Sequence, residues 1–128
     1  MVYNRRTALF ELLLLSFLST GGTKMDKESV YQGRLIKKLK LMFPGCHILK
    51  NDPNYTQGIP DLIVLYEDRW AMLEVKASCD SPQQPNQDYY IDRLGEMSYS
   101  AYIYPENEEE VLRDLQLTFG LSGAPRIS

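Results

Sequence analysis

Two apolar runs set the limits on what this chain can fold into. "LIVLY" covers Leu62 to Tyr66 and "WAMLEVK" covers Trp70 to Lys76, with only Glu67, Asp68 and Arg69 between them. Both are short and rich in aliphatic and aromatic residues, so both read as strands. A connection this tight makes them an antiparallel hairpin. Their apolar residues fall on consecutive positions, as in strands buried on both faces. Three charged groups intrude on this pattern. Asp61 stands just ahead of the first strand, and Glu74 and Lys76 stand at the end of the second. Hairpin pairing brings the start of one strand beside the end of the next. Side-chain alternation puts Glu74 and Lys76 on one face and Val75 on the other.

The remaining elements follow from local signals. Residues 27–43, "KESVYQGRLIKKLKLMF", carry a helical apolar stripe of Leu35, Ile36, Leu39, Met42 and Phe43 that begins with Glu28 and Gln32. Pro44 and Gly45 end that helix. "CHILK" reads as a short strand, "NDPNYTQGIP" as a loop dense in turn residues, and "ASCDSPQQPN" as a second loop. A helix is predicted from Gln87 to Met97, a strand over "SAYIYP", and a helix over "ENEEEVLRDLQLTF", whose acidic first turn suits the helix dipole. The order helix, three strands, helix, strand, helix implies a small α/β fold, a mixed sheet of about four strands flanked by helices.

Residues 1–24 stand apart. Two arginines precede an apolar run from Ala8 to Leu18, which superficially resembles an export signal. Glu11 interrupts the run, no small-residue cleavage site follows, and it is too short to span a bilayer. Met25 then opens a fresh segment. The preferred reading is an N-terminal appendage over 1–24, one functional domain over 25–119, and a flexible tail over 120–128. A loose amphipathic helix is the next reading of the appendage.

Composition enters by exclusion. Two cysteines cannot frame a small disulfide-rich domain, which suits a reducing compartment. A single histidine, His47, leaves histidine-dependent triads and histidine-rich zinc sites with little to work with. The formal charge of −3 gives no global case for nucleic-acid binding, so any basic surface must be local.

Asp61, Glu74 and Lys76 suit one kind of chemistry. Two carboxylates converging on one point repel each other unless a cation intervenes. Oxygen ligands favour a hard ion, and Mg²⁺ commonly uses one or two carboxylates with waters and phosphate oxygens. An adjacent lysine can hold an attacking water or offset charge developing on a phosphate. That combination hydrolyses a phosphodiester without histidine or cysteine. The plain alternatives are a turn aspartate after proline and a surface Glu-x-Lys ion pair. The apolar surroundings weigh against both, because charges within such segments need partners or a metal.

"GIPD" followed by "EVK" resembles the PD-(D/E)XK nucleases, on Pro60, Asp61, Glu74, Val75 and Lys76. It looks closest to the VRR-NUC branch and to archaeal-type and phage Holliday-junction resolvases. Glu28, Gly58, Asp61, Glu74, Lys76 and Gln87 match in order and approximate spacing, over roughly residues 25–115. The resemblance implies a restriction-endonuclease-like core and an Mg²⁺-dependent endonuclease, with Mn²⁺ as a substitute, acting on DNA. It implies that Asp61, Glu74 and the Val75 carbonyl hold the metal, that Glu28 completes the site, and that Lys76 and Gln87 act near the scissile phosphate. It further implies a cytoplasmic protein, in the host cytoplasm if phage-encoded, with no membrane partner.

DNA would be held by the local basic concentration of Arg34, Lys37, Lys38, Lys40 and Lys50, whose alternative is a solvated helix face. Of Tyr89 and Tyr90, one is expected to pack inward and the other to meet a base or sugar. Asn51, Asp52, Asn54 and Tyr55 lie in the loop before the motif, where they can shape substrate choice. The acidic run Glu106, Glu108, Glu109 and Glu110 is expected to face away from DNA. A core this small has little room for two strands of a junction, so a symmetric homodimer on branched DNA is expected. The rivals are a flap, nick or single-strand nuclease of the same fold, and a non-catalytic DNA-binding module.

Overall fold

A computed structural model of the chain describes residues 24–121. Residues 1–23 of the expected appendage and 122–128 of the expected tail lie outside the described residues. The chain forms two compact units, 1–46 and 47–128, and the boundary falls inside the 25–119 span.

The first unit contains helix α1, Lys24–Met42. It begins three residues earlier than its apolar stripe suggests and ends at Pro44 and Gly45, where the Cys46 amide turns back to the Phe43 carbonyl at 2.9 Å. Tyr31, Leu35, Leu39, Met42 and Phe43 are buried, and so is Lys38, at 0% exposure. The buried arc is therefore displaced toward Tyr31 and Lys38, while Gln32 and Ile36 are half-buried. This corrects the expectation for Lys38. A fully buried ammonium cannot belong to a solvated basic face that meets phosphate. Its position three residues after Leu35 and four before Met42 is the helical spacing that puts it inside.

The second unit is a four-stranded mixed sheet in the order β1-β2-β3-β4. The strands are β1 His47–Lys50, β2 Leu62–Tyr66, β3 Arg69–Val75 and β4 Tyr99–Ile103. β1 and β2 pair antiparallel, as do β2 and β3, and β3 and β4 pair parallel. The parallel pair needs a crossover, and helix α2, Gln87–Met97, supplies it. Helix α3, Glu108–Thr118, follows β4. The expected hairpin is present, closed by a two-residue turn in which Glu67 has φ 56°. β4 stops two residues early and α3 starts two residues late, because Asn107 bridges the junction. Its side chain accepts the Tyr104 amide at 2.9 Å and donates to the Tyr102 carbonyl at 2.9 Å.

Strand parity gives the sheet two unequal faces. On the closed face Leu62, Val64, Ala71, Leu73, Val75 and Ile103 are fully buried, and each large aliphatic side chain there contributes about 1.5–3 kcal/mol. α3 lies on this face. The Tyr66 and Phe119 rings are 5.5 Å apart, and the Tyr99 hydroxyl donates to Asp114 at 3.0 Å. On the open face Ile63, Trp70 and Met72 are half-buried and Leu65 is exposed. α2 crosses part of that face, where the Tyr102 hydroxyl donates to Asp88.

Candidate active site

The site is built at the open end of the β2–β3 hairpin. The register Leu62↔Leu73, continued by one residue, sets Asp61 opposite Glu74. Glu74 is paired in turn with Tyr102 of β4. On the other side the Asn51 amide donates to the Asp61 carbonyl at 2.9 Å. Asn51, Asp61, Glu74 and Tyr102 thus form a cross-strand row of polar positions at this end of the sheet.

Asp61 is tied across the hairpin by its side chain. Its Oδ2 accepts the Val75 amide at 2.8 Å. A carboxylate has two oxygens with about four acceptor sites, so this bond leaves capacity for a ligand. Glu74 is only 4% exposed. It lies near enough to Tyr102 to act on it: burial first, then the bond and charge of Asp88, then the charge of Glu74 push the Tyr102 phenol upward.

Lys76 follows β3 directly and keeps its alignment, its amide donating to the Ile103 carbonyl at 2.9 Å. Its side chain is buried, at 7% exposure. The ammonium donates to Gln87 Oε1 at 2.8 Å and to the Pro82 carbonyl at 3.1 Å. Two of the three ammonium donors are thereby engaged. Gln87 is itself buried at the first turn of α2, and its Oε1 also accepts the Gln84 amide at 2.9 Å. The amide oxygen is fixed from both sides, which fixes the direction of the lysine.

The two loops that carry these groups touch at Gly58. Its φ is +88°, and an added Cβ would meet Asn86 Cβ at 2.6 Å and the Pro85 carbonyl oxygen at 2.7 Å. Only glycine fits both the left-handed backbone and that approach. Asn86, next to Gln87, is also left-handed at φ 70°, a conformation asparagine tolerates. The loop before Asp61 is thus pressed against the start of the helix that orients Lys76.

The structure brings together Asp61, Glu74, Val75, Lys76 and Gln87. The other expected residues are placed elsewhere. Glu28 is half-buried on α1, in the first unit. Arg34 is half-buried there and Lys37 and Lys40 are exposed, while Lys50 is exposed in the second unit. Tyr89 is exposed and Tyr90 half-buried, with ring centroids 5.1 Å apart and edge to face. Three positions were not singled out for what they do. Tyr102 joins the polar row. Asn86 makes the left-handed entry to α2, which its place after Pro85 and before a helix could have signalled. Glu108 is buried, while its neighbours Glu109 and Glu110 are exposed. Its spacing to Val111, Leu112 and Leu115 is that of a buried helical stripe, and this was the available signal.

Among the described residues no three His, Cys, Asp or Glu side chains converge as a metal-holding group. Asp61, Glu74 and the Val75 carbonyl are an oxygen-only set of two carboxylates and one peptide. That set fits a hard cation keeping several waters, and does not fit zinc.

What fold and site define is a small α/β protein with a carboxylate pair and a buried, oriented lysine at one end of a hairpin. No family model, curated protein or solved structure matches the chain. No helix among the described residues is long and apolar enough to cross a membrane.

Proposed function

We propose that this chain is a Mg²⁺-dependent endonuclease with a restriction-endonuclease-like core, hydrolysing phosphodiester bonds in branched or otherwise structured DNA. One observation carries the reading. Asp61 is bonded to the Val75 amide, and the Lys76 ammonium is held by Gln87. Both acids and the lysine therefore sit at the same hairpin end, two of the three almost wholly buried. Burying charged groups is costly unless they are paired or hold a metal.

Asp61, Glu74 and the Val75 carbonyl are the residues that would hold the cation. A bound Mg²⁺ would supply water activation and charge neutralisation at the phosphoryl oxygens. Lys76 uses its third donor to orient the attacking water and offset charge on the phosphate. Gln87 keeps the ammonium pointed at that position. Water oxygen bonds to phosphorus as the bond to the 3′-oxygen breaks, leaving a 5′-phosphate and a 3′-hydroxyl. The water gives up its proton to solvent and the 3′-oxygen takes one from solvent. Lys37, Lys40 and Lys50 are proposed phosphate contacts, and a homodimer would present two sites to a two-fold junction.

The test is cleavage of sequence-matched junction, flap, duplex and single-stranded DNAs with Mg²⁺ and with Mn²⁺, beside Glu74→Ala. The reading requires metal-dependent cleavage that Glu74→Ala abolishes. Tight DNA binding with no cleavage in either metal would instead identify a non-catalytic binding module.

A further inference from the structure

A cleft of about 410 Å³ lies in the loop between β1 and β2, lined by Asn51, Asp52, Tyr55, Thr56, Ile59 and Met72. Its position is set by the sheet. Met72 is on the open face two residues before Glu74, so the cleft floor and that carboxylate are neighbours along one strand, about 6–7 Å apart. Its wall is joined to the backbone of the other carboxylate. The Asn51 amide bonds to the Asp61 carbonyl, and Asn51 Nδ2 bonds to the Pro60 carbonyl at 2.8 Å.

The loop is folded on itself rather than open. The Tyr55 and Thr56 amides both donate to the Asp52 carbonyl, and the Asn54 amide donates to Asp52 Oδ1 at 2.9 Å. This internal bonding leaves the Tyr55 ring 91% exposed. An aromatic side chain that the fold does not use thus stands at a cleft with a half-buried apolar floor of Ile59 and Met72 and polar edges at Asn51 and Thr56. Asp52 makes the rim unfavourable for a phosphate. The chemistry suits a flat, uncharged group with a π-face and polar edges, which describes a nucleobase.

We propose that this cleft is a base-binding subsite. It takes the unpaired nucleobase adjacent to the phosphate that lies at Asp61 and Glu74, with Tyr55 stacking on it. This rests on the reading of the hairpin end as a phosphodiester-cleaving site. It adds a substrate class: DNA whose nucleotide next to the cleaved bond is unpaired, as in a single strand, a flap or the branch of a junction. A base inside an intact duplex is stacked and paired and cannot enter without being extruded.

The test uses the full chain and oligonucleotides carrying 2-aminopurine, unpaired at a branch or paired within a duplex. Binding is titrated by fluorescence in chelator, so that no strand is cut, and cleavage is then followed with Mg²⁺. Wild type should quench the unpaired probe. Tyr55→Ala should weaken its binding about tenfold or more, and Tyr55→Phe should retain it because the π-face is kept. Binding to the duplex should be the same for all three proteins. Equal affinity of wild type and Tyr55→Ala for the unpaired probe overturns the subsite, and so does an equal loss on duplex. Tyr55-dependent quenching by a protein that never cleaves keeps the subsite and removes the nuclease reading. Cleavage that is indifferent to Tyr55→Ala does the reverse.

Discussion

The two ends of the β2–β3 hairpin carry the same kinds of residue: two acids and a base. At the closed end these are Glu67, Asp68 and Arg69, and at the open end Asp61, Glu74 and Lys76. The closed end is solvated. The Asp68 side chain is 90% exposed, its distance to Arg69 is 3.9 Å, and Arg69 also reaches the Thr118 carbonyl at 2.8 Å. At the open end Glu74 and Lys76 are almost completely buried and Asp61 is half-buried. Residue type therefore does not tell the two ends apart. Burial and the number of fixed partners do. A charge in water can be moved at little cost, whereas a charge held by two fixed acceptors has one direction in which to act.

The strongest way to break this contrast is to remove the base at each end. On the proposed function, Lys76→Ala should lower single-turnover cleavage at saturating Mg²⁺ by about 10²- to 10³-fold, with folding intact. Lys76→Arg should not restore it, because a planar guanidinium does not replace a compact ammonium. Arg69→Ala should cut at the wild-type rate and lose about 0–1 kcal/mol of stability. Equal rates for wild type and Lys76→Ala would make the two ends equivalent.

The acids sharpen the comparison through stability, which needs no assay of activity. Asp61→Ala leaves the Val75 amide without its acceptor and should cost about 1–3 kcal/mol in urea unfolding. Asp68→Ala should stay within about 0.5 kcal/mol of wild type. Indistinguishable midpoints would mean that the Asp61–Val75 bond contributes nothing.

Two glycines test whether the open end is held by its loops. Gly58→Ala meets Asn86 and Pro85 in a left-handed backbone and should destabilise by about 1–3 kcal/mol. Gly95, inside α2, has nothing within 4 Å of an added Cβ, and Gly95→Ala should stabilise by about 0.5–1 kcal/mol. Thermal melts of the two variants should move in opposite directions.

The smallest effect is alkaline. Tyr102 is held above its ordinary value by burial first, then by Asp88 and by the charge of Glu74. An unfolded tyrosine ionises near pH 10, so the phenol's contribution is complete below about pH 10 and is lost above it. The urea midpoint should fall as the pH rises above about 10, and Tyr102→Phe should fall less. An identical fall in both proteins would remove Tyr102 from the polar row as an energetic partner.

Much of the second unit was legible. The two apolar runs and their short connection gave the hairpin, and the period of two placed Glu74 and Lys76 together. Helix periodicity found α1 but misjudged its inner face. Leu35, Leu39 and Met42 were read as inward, while Lys38 was read by its charge as outward. Glu108, expected only to face away from DNA, is likewise carried inward. In both cases position on the stripe outweighed residue type, since a side chain is carried inward by the backbone turn it sits on. The ends of β4 and α3 were misplaced because the Asn107 side chain reorganises that junction, and no periodicity reports such a bond.

The sequence by itself determined which residues alternate, where strands and helices can run, and that three charged groups gather at one hairpin end. These follow from local geometry, with a period of two for strands and about 3.6 for helices. Only the tertiary structure decided that Lys76 meets Gln87 and Pro82, that Gly58 closes on Asn86, and that Tyr55 is left standing beside a cleft next to the carboxylates. Those partners lie in different loops. Their meeting depends on how β2, β3 and α2 pack, and a local pattern carries no record of that distance.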